Sequence, residues 1–461
     1  MKSNIDGVVP SPLPANGLAG KKILFTTFPA DGHVNPLTGF AVHLKWLGCD
    51  VRWYTSTKYE EKITGLGIQH YPFKKALDIS NIEEHFPERK NIHGKIAKMK
   101  YDIINAFVLR GPEYYADVME IQQEFEFDAV VADCLFPGIP FITDKMNVPV
   151  LSMGIVPLTE YSRDLPPTGL GMMPDYSWFG KVKQAGLRFF SDRVLFREPN
   201  RVMHQILSKY GIDHMNSNIF DIICKKATLL AQSGTPGFEY YRSDISKNVR
   251  FVGALLPFRK STKKEAWFDQ RLNRYDHVII ATQGTVETDV NKLLVPTLEA
   301  FKDSDVLLIV TTGGSKTNAL REKYPHDNII IEDFIAFADI MPYADAYITN
   351  GGYGGVMLGI EYQLPMVVAG VHEGKNEINA RIGYFKLGIN LNTEKPKSEK
   401  IREAVKTLLK DKQYKENVTV LQKEFKLYDP TNLCAGYLKE MLEKRAAPVR
   451  KIVVKEAETM S

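Results

Sequence analysis

Within its first 55 residues the chain lays down an apolar β-prone run, a turn-rich loop, a helix and a second β-prone run. Few folds accommodate that order. Residues 22–28 (KILFTTF) read as a strand, and residues 29–33 (PADGH) as the loop that ends it. Asn35 before Pro36 reads as a helix start, a side-chain acceptor followed by proline at the first helical position. Leu37, Phe40, Ala41, Leu44 and Leu47 then recur with helical spacing, and Gly48 closes the helix. Residues 51–55 (VRWYT) are the next strand. Two strands joined through a helix pair in parallel. A parallel sheet needs helices on both faces and places ligands outside the carboxyl ends of its strands.

The alternation recurs along the chain. Residues 91–125 read as helices broken at Gly111-Pro112, 128–133 and 148–152 as buried strands, 164–186 as a long loop and 227–232 as a strand. The stretch 251–257, followed by basic residues, reads as a seam. A second series follows: strands at 277–281, 305–311, 328–331, 346–349 and 365–369, with helices at 290–301, 352–362, 377–385, 398–409, 414–426 and 431–445. No short internal repeat is visible. The expected division is a flexible leader (1–20), an N-terminal α/β domain (21–255), a linker (256–274), a C-terminal α/β domain (275–428), a last helix (429–445) and a tail (446–461). Two such domains facing each other make a cleft.

Composition excludes other classes. At 44% hydrophobic and 25% charged residues, the chain of 461 residues is globular. A net charge of +4 on a chain of this length offers no footprint for nucleic acid. Four scattered cysteines, Cys49, Cys134, Cys224 and Cys434, suit buried thiols in a reducing compartment better than disulfides or zinc. The leader lacks the apolar core of a signal peptide, and no apolar run is long enough to span a bilayer, so the expected location is cytoplasmic.

Several motifs fail. No GxGxxG follows the first strand, and no GxSxG occurs. Ser315 stands where a phosphate-binding loop needs glycine before Lys316. Asn376 stands where His372-Glu373 would need a second histidine. Three features remain. His33 lies beyond the carboxyl end of the first strand, and imidazole is the side chain that exchanges protons near neutral pH. Asp133 ends a buried strand in the same sense and is suited to orient an imidazole, as it is to cap a turn. Position alone leaves His33 as either a base or a packed loop residue. Residues 349–355 (TNGGYGG) join a strand to a helix, and so many glycines favour backbone N–H groups cradling an anion over a single tight turn. Residues 283–285 (QGT) form a second strand-end turn in that half.

With these residues in view, the chain resembles the family 1 nucleotide-sugar-dependent glycosyltransferases, which include UDP-glycosyltransferases and bacterial macrolide-type enzymes. Residues 31–33 (DGH) resemble the family's early histidine segment. Residues 334–380, with ADAYITNGGYGG, QLP and HEGKNEINAR in order, resemble its nucleotide-sugar signature. The likeness covers residues 21–445. It implies an α/β GT-B fold of two Rossmann-like domains with parallel sheets around a central cleft, acceptor in the first and donor in the second, and a last helix crossing back.

By that likeness His33 is the general base and Asp133 its partner. Phe334 stacks on the base of the nucleotide, and Ile335 offers backbone hydrogen bonds to it. Gly284, Thr285, Asn350, Gly352, Gly354 and Gly355 surround the diphosphate. The sequence departs from the family at three places. Asn350 replaces a histidine. Leu358 replaces the ribose-binding glutamate, with Glu361 the nearest substitute. The acid that holds sugar hydroxyls maps to Glu373, with Asn376 and Glu377 as alternatives. On the acceptor side Tyr101, Phe107 and Met173 belong to the apolar set, and Phe136, Met153, Met172 and Trp178 are the candidates carried forward.

The implied activity is inverting transfer of a sugar, expected to be glucose, from a UDP-sugar to a hydroxyl of a small lipophilic acceptor. The donor is a co-substrate; no cofactor or metal is expected, and the chain is expected to be a monomer or homodimer. The rivals are an epimerase or hydrolase of the nucleotide sugar, a binding protein with reduced catalysis, and an enzyme working at a membrane surface, for which the basic, aromatic stretch 187–207 is the candidate contact.

Overall fold

The computed structural model describes residues 17–258, 266–284 and 287–446, apart from the side chains of Lys95 and Ala446. Most of the expected leader, the linker segment 259–265, Thr285 and the tail beyond 446 lie outside the described residues.

Two parallel sheets organise the chain. The first contains β1 (Lys22–Thr26), β2 (Asp50–Tyr54), β3 (Gln69–Tyr71), β4 (Ala129–Asp133), β5 (Val150–Gly154), β6 (Leu229–Ser233) and β7 (Val249–Gly253), in the order β3-β2-β1-β4-β5-β6-β7. The second contains β8 (Val278–Thr282), β9 (Leu307–Thr311), β10 (Ile329–Glu332), β11 (Ala346–Thr349), β12 (Met366–Val368) and β13 (Gly388–Asn390), in the order β10-β9-β8-β11-β12-β13. Central strands such as β4, β8 and β9 are buried along their whole length, which is why they read as continuous apolar runs. In each sheet the order reverses once, between β1 and β4 and between β8 and β11. A crevice opens at such a switch point, outside the carboxyl ends of the flanking strands.

Several expectations are corrected. The first helix runs Asp31–Trp46, so it begins before Pro36 and carries that proline inside. His33 therefore sits in its first turn, not ahead of it. The proline removes only the bond to the carbonyl four residues back, near an end that water or ligand can satisfy. A new α-helix begins at Gly111-Pro112, as expected, but no loop precedes it. The path from Lys95 to Glu124 stays helical through a π turn and a 3-10 turn, and Pro112 enters the last helix at its start. Within the expected loop 164–186, a helix begins at Trp178 and runs to Phe190. The seam 251–257 opens as β7. The short strands β3 and β13 and the helix Thr317–Lys323 had no clear sequence signal.

The halves are fastened together. The last helix, Pro430–Ala446, packs Leu433, Cys434, Leu438 and Met441 into the core of the first sheet, and Arg445 donates to the Asp128 carbonyl at 2.9 Å. Tyr353 donates its hydroxyl to the Ser233 carbonyl at 2.6 Å. Gly237 N–H bonds Glu424 at 2.9 Å. The four cysteines are buried and unpaired, and burial pushes the Cys49 thiol up to about 11 and Cys224 up to about 12.

Candidate active site

His33 and Asp133 meet at the first switch point. β1 delivers the chain into the helix that carries His33, and β4 ends on Asp133. His33 Nδ1 lies 3.0 Å from Asp133 Oδ1. Asp133 is fully buried, but its oxygens are satisfied: Phe28 N–H donates to Oδ2, and Leu135 N–H donates to Oδ1 at 2.8 Å. A carboxylate accepting from Nδ1–H leaves the Nε2 lone pair free to take a proton. His33 keeps 14% side-chain exposure, enough to meet a ligand from the cleft.

An apolar cavity of about 160 Å³ lies behind Phe107 and Leu135, each of which is linked to this pair. Phe107 lines it and stacks on Phe28 at 4.6 Å, and Phe28 lies 5.4 Å from the His33 ring. Leu135, two residues past Asp133, lines another side, with Phe141, Met203 and Leu207 behind. None of Phe136, Met153, Met172 and Trp178 is among its walls. Phe136 and Met153 are fully buried in the core, Phe136 against Tyr54 and Tyr114. Past the end of β4 the chain turns, and Leu135 lines the cavity while Phe136 packs into the core. Trp178 is 70% exposed at the start of its helix, and Met172 is half-buried.

The glycine-rich turn occupies the second switch point. Gly351 has φ +85°, and a Cβ there would lie 1.8 Å from Asn379 Oδ1. Asn379, fully buried, donates to the Gly370 carbonyl at 2.9 Å and so holds the turn from behind. The sequence reading does not single out Asn379, which lies in a helix of mixed polar and apolar residues. Gly352 caps the helix Tyr353–Glu361, and a Cβ on Gly354 would meet nothing within 4 Å, so no side chain crowds that flank of the first turn. Gly351→Ala is therefore expected to lower both Tm and donor affinity, checked by thermal melting with and without UDP.

Asn350 ties the two turns of this crevice together. Its Nδ2 donates to the Gln283 carbonyl, and its Oδ1 accepts from Gly352 N–H at 3.3 Å. One amide proton remains for a ligand. Gly284 adopts φ +79° beside it, with Asn350 Nδ2 3.7 Å from where a Cβ would stand. Phe334 is 67% exposed, and its ring edge lies 3.9 Å from the Cβ position of Gly314, whereas Ile335 is buried in the core of this half. An aromatic face left open beside a glycine suits stacking on a planar ring, worth roughly 1–3 kcal/mol. Phe334→Ala should leave Tm unchanged while raising the dissociation constant for UDP about tenfold or more by isothermal titration.

The remaining donor-side candidates scatter. Glu361 ends the helix that Gly352 begins and is half-buried. Glu373 has φ +56° and an exposed carboxylate paired with Lys375 Nζ. Asn376 and Glu377 clasp the other half. Asn376 Nδ2 donates to the Gly169 carbonyl at 2.9 Å, and Glu377 Oε1 accepts from Gly169 and Gly171 N–H, each at 2.8 Å.

The first half thus presents His33 with Asp133 at its switch point, and the second a glycine-rich turn and the exposed ring of Phe334. Comparison with known proteins shows the family. Residues 296–436 match the family described as Erythromycin biosynthesis protein CIII-like, C-terminal domain. The chain is 31% identical to 4'-demethylrebeccamycin synthase of Lentzea aerocolonigenes over 89% of its own length and 97% of that protein's. It is 30% identical to UDP-glucosyltransferase 1 of Beauveria bassiana over 87% and 91% of the two lengths. The chain belongs to the family 1 nucleotide-sugar-dependent glycosyltransferases and is a glycosyltransferase. The crystal structure of CalG4, the calicheamicin glycosyltransferase, has the same GT-B fold, at a TM-score of 0.71 and 19% identity over 93% of this chain and all of that one. The glycosyltransferase VinC, solved with dTDP, gives a TM-score of 0.65 at 16% identity over 92% of this chain and 100% of that one.

Proposed function

We propose that the protein transfers a hexose, glucose in the first instance, from a UDP-sugar to a hydroxyl on a small lipophilic acceptor, with inversion at the anomeric carbon. The observation that carries this reading is the 3.0 Å contact between His33 and a fully buried Asp133, two residues before Leu135, which lines an apolar cavity. The acceptor's apolar body fills the cavity and its hydroxyl meets His33 Nε2. Nε2 takes the hydroxyl proton as the oxygen attacks the anomeric carbon. The bond from that carbon to the diphosphate breaks on the opposite side, and its electron pair leaves on the diphosphate. Asp133 stabilises the imidazolium formed. The N–H groups beyond Gly352 receive the charge developing on the leaving group, with Asn350 as a further donor. Phe334 carries the base. Glu361 is the candidate for the ribose hydroxyls and Glu373 for those of the sugar. No metal has a role in this scheme.

Relatives support the choice of donor. The Beauveria bassiana protein and one from Starmerella bombicola are both named UDP-glucosyltransferases. The test is a mass-spectrometric screen of UDP-, dTDP- and GDP-sugars against phenolic, terpenoid and sterol acceptors. A hexose adduct formed from UDP-glucose, with a β linkage by NMR, is expected. Rapid conversion of UDP-glucose without acceptor, and no adduct with any, would establish the hydrolase or epimerase reading instead.

A further inference from the structure

The helix Trp178–Phe190, with the π turn Ser191–Leu195 that extends it, is built inside out. Its buried residues are Gly180, Gln184, Arg188 and Ser191, one face of the helix and mostly polar. Gln184 accepts from Asp175 N–H at 2.8 Å and donates to the Asp164 carbonyl at 3.2 Å. Arg188 donates to the Leu165 carbonyl and, at 3.3 Å, to the Tyr161 hydroxyl. The apolar residues face out: Trp178, Phe179, Val182, Phe189, Phe190 and Val194 are each more than half exposed. An ordinary surface helix buries its apolar stripe. A contiguous exposed stripe of this kind marks a surface that something else covers.

Charge indicates what covers it. From residue 178 to 201 the exposed cations are Lys181, Lys183, Arg193, Arg197 and Arg201, and the exposed carboxylate is Glu198 alone. The three arginines line an open cleft of about 1060 Å³ beside the aromatic stripe, together with His204 and Lys225. Two carboxylates also face this cleft, Asp192 and Asp221, and Lys225 pairs with Asp221. Among the described residues, none forms a hydrogen bond or ion pair with the guanidinium of Arg193, Arg197 or Arg201, though the Asp192 carboxylate interacts electrostatically with Arg193. A second copy of this chain would bring the same cations against themselves, which disfavours self-association.

We propose that this face docks on an anionic lipid bilayer. The aromatic residues enter the boundary between headgroups and acyl chains, and the arginine cleft receives lipid phosphates. The geometry ties docking to the acceptor side. The helix Arg197–Lys209 presents Arg197, Arg201 and His204 to the cleft, and Met203, Ile206 and Leu207 to the apolar cavity behind Phe107 and Leu135. A lipophilic molecule dissolved in the bilayer is then one helix away from that cavity. Among the described residues no helix is long and apolar enough to cross the bilayer, so the contact is peripheral.

Flotation of the full chain with vesicles tests this, and it reads binding rather than sugar transfer. The chain is expected to float with phosphatidylcholine vesicles containing phosphatidylglycerol, not with phosphatidylcholine alone, and to be released by high salt. Phe179→Ser/Phe189→Ser/Phe190→Ser and, separately, Arg193→Gln/Arg197→Gln/Arg201→Gln should each weaken binding at least about tenfold, with circular dichroism and Tm unchanged. Absence of flotation with either vesicle, or equal flotation with both, would overturn the proposal. So would a dimer in sedimentation velocity that the phenylalanine substitutions dissociate while vesicles bind nothing.

Discussion

His33→Ala is expected to lower kcat about 10²–10⁴-fold while the affinity for UDP stays within a factor of about two, since general-base help is worth that much and His33 belongs to the other half from the donor turn. The corresponding loss of transition-state stabilisation is about 3–5 kcal/mol. Single-turnover kinetics with saturating donor separate it from any change in binding. Asp133→Asn is the informative partner. The new amide keeps the volume but loses the charge, and its NH2 end must face a donor, the Phe28 N–H on one side or the Leu135 N–H on the other. The imidazolium then loses the carboxylate that stabilises it, so turnover should fall nearly as far as in His33→Ala, and the double variant should be little worse than either single one. Wild-type turnover in His33→Ala with a hydroxyl acceptor would remove His33 from the mechanism.

The sequence made the switch-point residues readable because their local chemistry is repetitive. An apolar run ending on Asp133, or one ending in a cluster of glycines at 351–355, marks a strand's carboxyl end without reference to anything distant. What stayed unreadable depends on contacts between remote segments. Pro36 suggested a helix start, yet the helix starts at Asp31, because a proline in the second turn costs little where the preceding carbonyls are near a free end. Residues 178–186 read as part of a loop, and the helix they begin has its polarity reversed: the usual inference from apolar residues to a buried face fails when Gln184 and Arg188 are the buried ones. Phe136 and Leu135 are adjacent and both apolar, and only the packing of Tyr54 and Tyr114 decides which of them reaches the cavity. Asn376 matched the sugar-binding segment by order along the chain. Its bond to Gly169, 207 residues away, had no counterpart in local spacing.

The contact that spans the halves most deeply should also be the most costly to break. Arg381, on the helix Lys375–Tyr384, donates from Nε to Glu239 Oε1 at 2.7 Å, and Nη2 reaches the same oxygen. The side chains are 2% and 4% exposed. Burial alone would push the Arg381 guanidinium down, but the Glu239 carboxylate, with the Tyr240 and Glu377 oxygens, holds it above its ordinary value. Glu239 in turn accepts from Leu158 N–H at 2.9 Å, so the pair links a loop of the first half to a donor-side helix of the second. Arg381→Met keeps the apolar stem but leaves Glu239 buried with its nearest other cation, Arg242, 3.9 Å away. Removing one partner of a buried pair costs about 3–5 kcal/mol, whereas replacing both is often nearly neutral. Arg381→Met is therefore expected to lower Tm sharply, and Arg381→Met/Glu239→Gln to recover much of the loss, because the neutral amide oxygen still accepts from Leu158. Calorimetry on the three proteins checks this. If the double variant melted as low as Arg381→Met, the destabilisation would lie in packing around the lost guanidinium and not in a stranded carboxylate.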